Sequence, residues 1–287
     1  MDTAIVVDRL SKHYGHVRAL HDLNLTVAAG TVFGLLGPNG AGKSTLIKAL
    51  VGALTPSSGT ARVLGHDPLR DRRRLRQALG YMPQAPALYT DLSARENIAF
   101  FARAHDLPNL TTRVREVLDL TDLTDRANDP VRTFSGGMQR RLSLACALVH
   151  RPRVLFLDEP TAAVDPLLRA RFWSNFRDLA ASGVTLFIST HLMDEALLCD
   201  RVAVVRAGET IITDTPRAIL ARGKTRITLH RGAARERQTI GGRPEDLATA
   251  LHANGLASDV TAVDVEPDTL ETVIFGLIAR REKDERP

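Results

Sequence analysis

The strongest chemical signal in the sequence is a run of eight residues that fits the pattern GxxxxGK[ST]. The run extends from Gly37 to Ser44, follows the apolar segment 32–36, and leads into a helical pattern from Thr45 onward. Glycines allow backbone N–H groups to curl around an anion, and a helix N-terminus adds partial positive charge. Lys43 supplies a full charge, and the Ser44 hydroxyl is a ligand for Mg²⁺. The predicted nucleotide-phosphate site comprises Gly37, Pro38, Asn39, Gly40, Ala41, Gly42, Lys43, Ser44 and Thr45.

Two adjacent carboxylates follow a second apolar segment. Asp158 and Glu159 come directly after residues 154–157, which read as a buried strand. Consecutive strand residues point to opposite faces, so these two side chains have different tasks. We expect Asp158 to bind the metal through water, and Glu159 to activate or position the attacking water.

Two further polar residues are candidates for the same site, His191 at a predicted strand end and Gln84 where the core gives way to the helical segment. His191 follows the apolar segment 185–188, and Gln84 follows Tyr81-Met82-Pro83. Because the carboxyl ends of parallel strands meet at one edge of a sheet, His191 should reach the crevice that holds Lys43 and both carboxylates. We expect His191 to contact the γ-phosphate, and Gln84 to contact both Mg²⁺ and water.

A second glycine-containing helix start lies 92 residues after Lys43. Ser135 is placed to cap this helix, and Gly136 and Gly137 occupy its first turn. Glycines weaken a helix, but they expose N–H groups at its positive end. The segment therefore predicts a second phosphate site in the same chain.

The strands and helices that position these residues can be predicted from the hydrophobic pattern of the sequence. Residues 1–215 alternate buried-strand runs with helical patterns, which is typical of an α/β domain. Between residues 85 and 150 the pattern becomes helical and is interrupted by prolines. Residues 220–287 contain a strand pattern and two helical patterns, which predict a small α+β appendage.

Composition narrows the class of protein. The chain has 287 residues, 44% hydrophobic and 25% charged, with a net charge of +5. These values exclude a disordered or fibrous protein. No apolar run reaches the roughly 18–20 residues of a membrane span, and Met1–Leu10 lacks a signal-peptide pattern. Cys146 and Cys199 form no CxxC pair. We expect a protein of the reducing cytoplasm that acts at a membrane through a partner.

The motifs together resemble the nucleotide-binding subunit of ABC transporters. The matching segments, in chain order, are Walker A at Gly37–Ser44, the Q-loop at Gln84, the signature at Ser135–Met138, Walker B at Val154–Asp158 with Glu159 after it, the D-loop at Ala162–Asp165 and the H-loop at His191. The resemblance implies a P-loop NTPase core at residues 1–219 with an inserted helical subdomain at about 85–150, followed by a C-terminal domain at 220–287.

The resemblance also implies an assembly. Two copies would form a head-to-tail homodimer, with each ATP held between Walker A of one copy and Ser135, Gly136 and Gly137 of the other. Tyr14 matches the aromatic residue that stacks on adenine, and Asp165 of the D-loop is expected among the ATP-binding residues. ATP hydrolysis with Mg²⁺ would then drive a separate membrane permease, and the subunit would lie on the cytoplasmic face of the membrane.

Within the family, the sequence looks most like ATPases of ABC-2 exporters of drugs, antibiotics and other amphipathic compounds. Met138, the segment Thr190–Ala196 and the tail segment Glu266–Glu271 carry this similarity. An importer ATPase is an alternative that the core motifs leave open. A soluble ABC ATPase acting on nucleic acid or ribosomes is less favoured, because the chain has one motif set and no sustained heptads.

The family also implies a docking site for the permease next to the Q-loop. There, a short helix of the membrane subunit enters a groove of the helical subdomain. By position, we expect the segment Ala85–Tyr89 together with Glu96 and Asn97 to line this groove.

Overall fold

A computed structural model describes residues 2–105, 107–162, 164–255 and 259–284. It divides into two compact units, Met1–Thr213 and Asp214–Pro287. The domain boundary expected between residues 219 and 220 lies a few residues inside the second unit.

The first unit contains two sheets and two groups of helices. Its elements are β1 (Thr3–Tyr14), β2 (Val17–Ala28), β3 (Val32–Leu36), α1 (Lys43–Leu50), β4 (Ser58–Val63), α2 (Arg72–Arg76), β5 (Leu79–Met82), α3 (Ala94–Arg103), α4 (Leu110–Leu120), α5 (Gly136–Leu148), β6 (Val154–Asp158), α6 (Pro166–Ala181), β7 (Thr185–Thr190), α7 (Met193–Ala196), β8 (Arg201–Arg206) and β9 (Glu209–Asp214). Two short 3₁₀ turns, Thr124–Arg126 and Val131–Thr133, lie between α4 and α5.

The larger sheet has six strands in the order β5-β6-β7-β3-β8-β9. Strands β5, β6, β7, β3 and β8 pair in parallel in that sequence. All residues of β3, β6 and β7 are buried, as their continuous apolar runs predict for strands covered on both faces. In this register Asp158 lies beside Ser189, and Leu36 beside Thr190. The carboxyl ends of these three strands therefore meet at one edge.

Helix α1 lies between the larger sheet and a smaller antiparallel sheet with the order β2-β1-β4. Leu46, Ile47 and Leu50 of α1 are fully buried in a core to which both sheets contribute. This burial on two sides fixes the start of α1, where Lys43 and Ser44 lie.

Helices α3, α4 and α5 pack on one another as the predicted helical subdomain. Helix α3 begins with a capping box in which Ser93 and Glu96 each bind the other's backbone N–H. At the C-terminal end of α5, Arg113 of α4 donates hydrogen bonds to the carbonyls of Leu148 and Val149, which are 2.6 and 2.7 Å away. These bonds satisfy carbonyls that have no partner within the helix. The α/β fold with an inserted helical subdomain is thus confirmed.

The second unit is built on a three-stranded antiparallel sheet with the order β11-β10-β12. Its elements are α8 (Pro216–Leu220), β10 (Lys224–Arg231), β11 (Ala234–Gly241), α9 (Pro244–Ala250), β12 (Ala262–Pro267) and α10 (Leu270–Asp284). Ile227, Leu229 and Ala250 form its small core with Leu247 and Val263. Helix α9 ends at Ala250, and a π-helical turn, Leu251–Gly255, continues it. Among all described residues, no helix combines the length and apolar character that a membrane span requires.

Candidate functional site

The glycine-rich loop Gly37–Gly42 connects β3 to α1, in the strand-loop-helix context that its sequence predicts. Gly37 lies so close to β8 that a Cβ atom there would be 2.3 Å from the Val205 carbonyl oxygen. Gly42 has a φ of 101°, and a Cβ atom there would be 2.4 Å from the Ala19 carbonyl oxygen. Only glycine fits either position, because no side chain can share that space with backbone.

Lys43 points back into this loop instead of into solvent. Its side chain is 5% exposed, and Nζ donates hydrogen bonds to the carbonyls of Gly37 and Pro38, at 2.7 and 3.1 Å. Burial lowers the pKa of Lys43, and the negative charges of Glu159 and Asp158 oppose that change. The loop thus surrounds the positively charged ammonium of Lys43, as a phosphate site requires.

Glu159 lies between Lys43 and His191. Its Oε1 is 3.6 Å from Lys43 Nζ, and its Oε2 is 3.5 Å from His191 Nδ1. The Glu159 side chain is buried, whereas His191 is 43% exposed. The predicted meeting of Lys43, Glu159 and His191 at one edge of the sheet is therefore what the structure shows.

Asp158 and Glu159 are held by Ser189, which the sequence reasoning missed. The Ser189 hydroxyl donates to Asp158 Oδ1 and accepts from the backbone N–H of Glu159 at 3.1 Å. Ser189 is fully buried and is the register partner of Asp158 on β7. Its position just before Thr190-His191, at a predicted strand end, was the available signal. One hydroxyl thus fixes two neighbouring carboxylate residues.

Lys43 and Glu159 line a cavity of about 240 Å³, whereas Asp158, Ser189 and His191 are not among its lining residues. Predicted site residues make up most of its lining: Asn39, Gly40, Ala41, Gly42, Lys43, Ser44, Thr45, Gln84 and Glu159. Val17, Arg18 and Ala19 of β2 complete it, and sequence reasoning missed them because they belong to the other sheet. Tyr14 does not line this cavity. It is the register partner of Val17, is 47% exposed, and has Lys12 Nζ 5.1 Å from its ring centre.

Ser135 caps α5, as predicted, by accepting a hydrogen bond from the Met138 backbone N–H at 3.3 Å. Ser135 and Gly136 are exposed, and neither lines the Lys43 cavity. A Cβ atom at Gly136 would meet nothing within 4 Å. Contacts within the chain therefore give no reason for glycine at this position.

Asp165 likewise caps a helix: its Oδ1 accepts a hydrogen bond of 3.0 Å from the Leu168 N–H at the start of α6. Asp165 is exposed, and the nearby Leu167 is 84% exposed. Ala163, in the same predicted D-loop, lies outside the described residues. The end of the D-loop is thus an outward-facing surface that includes a large apolar side chain.

A second cavity, of about 270 Å³, lies between the helical subdomain and the larger sheet, and Leu88 and Phe101 are among its lining residues. The expectation that Asn97 lines a groove here is wrong. Asn97 is completely buried, and its side-chain amide bonds to the backbone N–H and carbonyl of Tyr89, at 2.9 and 3.0 Å. Asn97 shapes the loop because an amide can satisfy both backbone groups at once.

Comparison with known proteins places these features in a family. The sequence model described as ABC transporter matches residues 20–162. The chain is 46% identical over 217 residues to the daunorubicin resistance ATP-binding protein DrrA3 of Streptomyces coeruleorubidus. This aligned segment covers 75% of the chain and 69% of that protein. It is 34% identical over 283 residues to the linearmycin resistance ATP-binding protein LnrL of Bacillus subtilis, which covers 95% of the chain and 88% of that protein.

Other relatives are longer than the matched segment. The chain spans 38% of the probable multidrug ABC transporter ATP-binding protein YbhF of Escherichia coli and 65% of the Nod factor export ATP-binding protein I of Sinorhizobium fredii. Among solved structures, an ATP-binding subunit of an ABC transporter superposes with a TM-score of 0.71 at 29% identity, over 76% of this chain and 92% of that one. The chain belongs to the ABC transporter family and carries the ATP-binding ATPase domain of that family.

Proposed function

We propose that the cavity around Lys43 binds the triphosphate of ATP and that Glu159 acts on the water that attacks it. The observation that carries this proposal is the buried contact of Glu159 with both Lys43 and His191. The loop N–H groups and Lys43 neutralise the phosphates, and Ser44 and Thr45 follow them at the start of α1. His191, partly exposed beside Glu159, donates to the γ-phosphate, and Tyr14 stacks on the adenine.

The residues present fit a Mg²⁺ ion. Mg²⁺ prefers oxygen ligands and is commonly held by one or two carboxylates together with substrate phosphates. Ser44 and Gln84 line the cavity, and Asp158 has one carboxylate oxygen beyond the one that accepts from Ser189. These three residues would hold the ion, Asp158 through water. When bound, the ion would neutralise charge on the β- and γ-phosphates.

Glu159 serves as the general base or positioner of the water. Its carboxylate lies 3.6 Å from the Lys43 ammonium, and Ser189 fixes its backbone. Gln84, which lines the same cavity, orients the water from the other side and marks the start of the helical subdomain. Proton transfer by a positioned carboxylate contributes about 10²–10⁴-fold to a rate.

Hydrolysis takes place in a head-to-tail homodimer. Ser135, Gly136, Gly137 and Asp165 lie outside the cavity of their own chain and therefore complete the ATP site of the partner copy. Support comes from the exposed helix start at Ser135 and from the open space beside Gly136. An exposed helix N-terminus binds anions readily.

The dimer drives a separate membrane permease of the ABC-2 exporter type from the cytoplasmic face of the membrane. The exporter assignment is supported by the relatives, whose names refer to drug resistance, multidrug transport and Nod factor export. Similarity to the linearmycin resistance protein also extends over 95% of the chain, including the second unit. The substrates expected are drugs, antibiotics or other amphipathic compounds. An importer is the alternative, and action on nucleic acid or ribosomes is the less favoured one.

The test is isolation of the full chain from membranes with ATP present, followed by mass spectrometry of its partners. Capture of a six-helix ABC-2 permease would support export. A solute-binding protein in the same complex would support import. Capture of ribosomal proteins or DNA without a permease would overturn the transporter proposal. An Arg115→Ala variant, which changes an exposed residue of the helical subdomain, is the control bait and should capture the same partners as the wild-type chain.

A further inference from the structure

One hydrogen bond joins the helix that starts after Ser135 to the residue proposed to activate water. Arg140 lies on α5, five residues after Ser135, and its Nη1 donates to the backbone carbonyl of Glu159 at 2.7 Å. The Arg140 side chain therefore leaves the helical subdomain and ends at the carboxyl end of β6. A hydrogen bond from a charged donor is stronger than one between neutral groups.

The backbone of Glu159 needs such support. Its φ is 53°, in the left-handed region that is unfavourable for a residue with a side chain. On its amino side, the Glu159 N–H is held by the carbonyl and hydroxyl of Ser189. On its carboxyl side, the carbonyl accepts a long bond of 3.4 Å from Ala162 N–H and the short one from Arg140. These bonds hold the Glu159 backbone in the conformation in which its carboxylate contacts Lys43 and His191.

The adjacent arginine provides a contrast. Arg141 Nη1 donates to the carbonyl of Asp122 at 2.7 Å and to its carboxylate at 2.9 Å, close to the end of α4. These contacts stay within the helical subdomain. Two neighbouring arginines of one helix therefore serve different purposes: Arg141 holds the subdomain together, and Arg140 crosses to the sheet.

We propose that Arg140 is a positioning residue for Glu159 and ties the helix of Ser135 to the carboxylate of its own chain. The inference rests on the proposed function, in which Ser135 contacts the partner's ATP and Glu159 acts on the ATP of its own chain. Helix α5 is continuous over 13 residues, and five residues of helix span about 7.5 Å. A displacement of Ser135 would reach Arg140 through this rigid segment, so contact at one ATP site adjusts the carboxylate of the other.

The experiment compares Arg140→Met, Arg140→Lys and Arg141→Met in the purified full chain. Each variant is measured for kcat and KM of ATP hydrolysis and for Tm. Because Arg140→Met removes a charge-assisted bond, we expect kcat to fall about tenfold or more. KM and Tm should stay near the wild-type values, because ATP contacts and core packing are unchanged. Arg140→Lys should recover part of kcat, since an ammonium is still a donor.

Arg141→Met is the matched control, since it removes a guanidinium one residue away on the same helix. Its Tm should fall while kcat of the folded protein stays within about twofold of wild type, because its contacts are structural. Unchanged kcat in Arg140→Met, or the same kcat and Tm profile in both Met variants, would overturn the inference. If Arg140→Met does not fold, Arg140→Lys replaces it, and an unchanged kcat in that variant would overturn the inference. A wild-type chain that hydrolyses no ATP would instead count against the proposed function.

Discussion

Lys43 Nζ lies 3.6 Å from Glu159 Oε1, and the two side chains are 5% and 9% exposed. An opposite charge pair this deeply buried is costly to break, because the remaining partner is left uncompensated. The pair joins the glycine loop to the end of β6, so the groups proposed to bind phosphate and to activate water depend on each other electrostatically. Substitution of Glu159 should nevertheless affect ATP hydrolysis, whereas substitution of Lys43 should affect ATP binding.

Glu159→Gln should retain ATP binding, abolish turnover and trap the dimer. The amide keeps the size of the side chain and one acceptor oxygen, but it cannot act as a base at neutral pH. We expect kcat to fall at least about hundredfold, in line with the loss of a general base. Steady-state hydrolysis and sedimentation with ATP measure the two effects. Hydrolysis near the wild-type rate would rule out this role for Glu159. Glu271→Gln, on an exposed position, should match wild type.

Lys43→Ala should lose tight ATP binding, because it removes the only full positive charge of the loop. Hydrogen bonds to charged groups contribute about 1.5–3 kcal/mol, which corresponds to roughly a ten- to hundredfold increase in the Kd for ATP. Lys48→Ala changes an exposed lysine of the same helix and should leave the Kd unchanged. Equilibrium binding of ATP, with Tm as a check on folding, makes the comparison. An unchanged Kd in Lys43→Ala would contradict the phosphate role.

Gly136→Ala should separate the stability of the chain from assembly of the dimer. A Cβ atom there meets nothing within 4 Å, and alanine is a better helix former than glycine. Tm should therefore stay the same or rise slightly. The added methyl group would occupy the surface proposed to approach the partner's ATP, so ATP-dependent dimerisation should weaken in a Glu159→Gln background.

Gly80→Ala is the matched control for this prediction. A Cβ atom at Gly80 would lie 2.4 Å from the Ala147 carbonyl oxygen, so this variant should lose stability. Tm and sedimentation velocity with ATP distinguish the two glycines. If Gly136→Ala in the Glu159→Gln background dimerises at the same ATP concentration as Glu159→Gln alone, this helix start is not part of the interface.

Sequence reasoning found the site where local motifs define it and missed the parts that depend on packing. The Lys43 loop and the strand ends at Asp158 and His191 follow from short patterns, because a buried parallel strand leaves its polar end residue at a fixed edge. The contribution of Val17 and Arg18 could not be predicted in this way. It depends on how a second sheet packs over α1, which no local pattern encodes.

Backbone conformation and long-range hydrogen bonds were also beyond sequence reasoning. Glu159 has left-handed backbone although it is not glycine, and a pattern of residue types does not predict that. Asn97 looked like a polar surface residue, but it is buried because its amide satisfies the backbone of Tyr89. The placement of the main site residues was therefore predictable, and the contacts that orient them were not.

The stacked histidines His105 and His150 predict a pH dependence of stability. Their ring centres are 3.8 Å apart, and His150 also bonds to the Leu79 carbonyl at 2.8 Å. Burial, chiefly, and then the charges of His105 and Arg113 lower the pKa of His150 from its ordinary value of 6.5 to about 4. Burial and then Arg76 also lower the pKa of His105. Both rings are therefore neutral in the folded chain near pH 7.

The sign of the effect follows from proton binding. Between about pH 4 and pH 6.5 the unfolded chain binds more protons at His150 than the folded chain does, so stability falls as the pH falls through this range. With solvent screening, we expect His150 to contribute about 1–2 kcal/mol of this loss. Urea unfolding at pH 7, 6 and 5 should show a smaller decrease for His150→Gln, which retains a donor for Leu79. His16→Gln, on an exposed position, should follow wild type, and equal pH dependence in all three proteins would contradict the prediction.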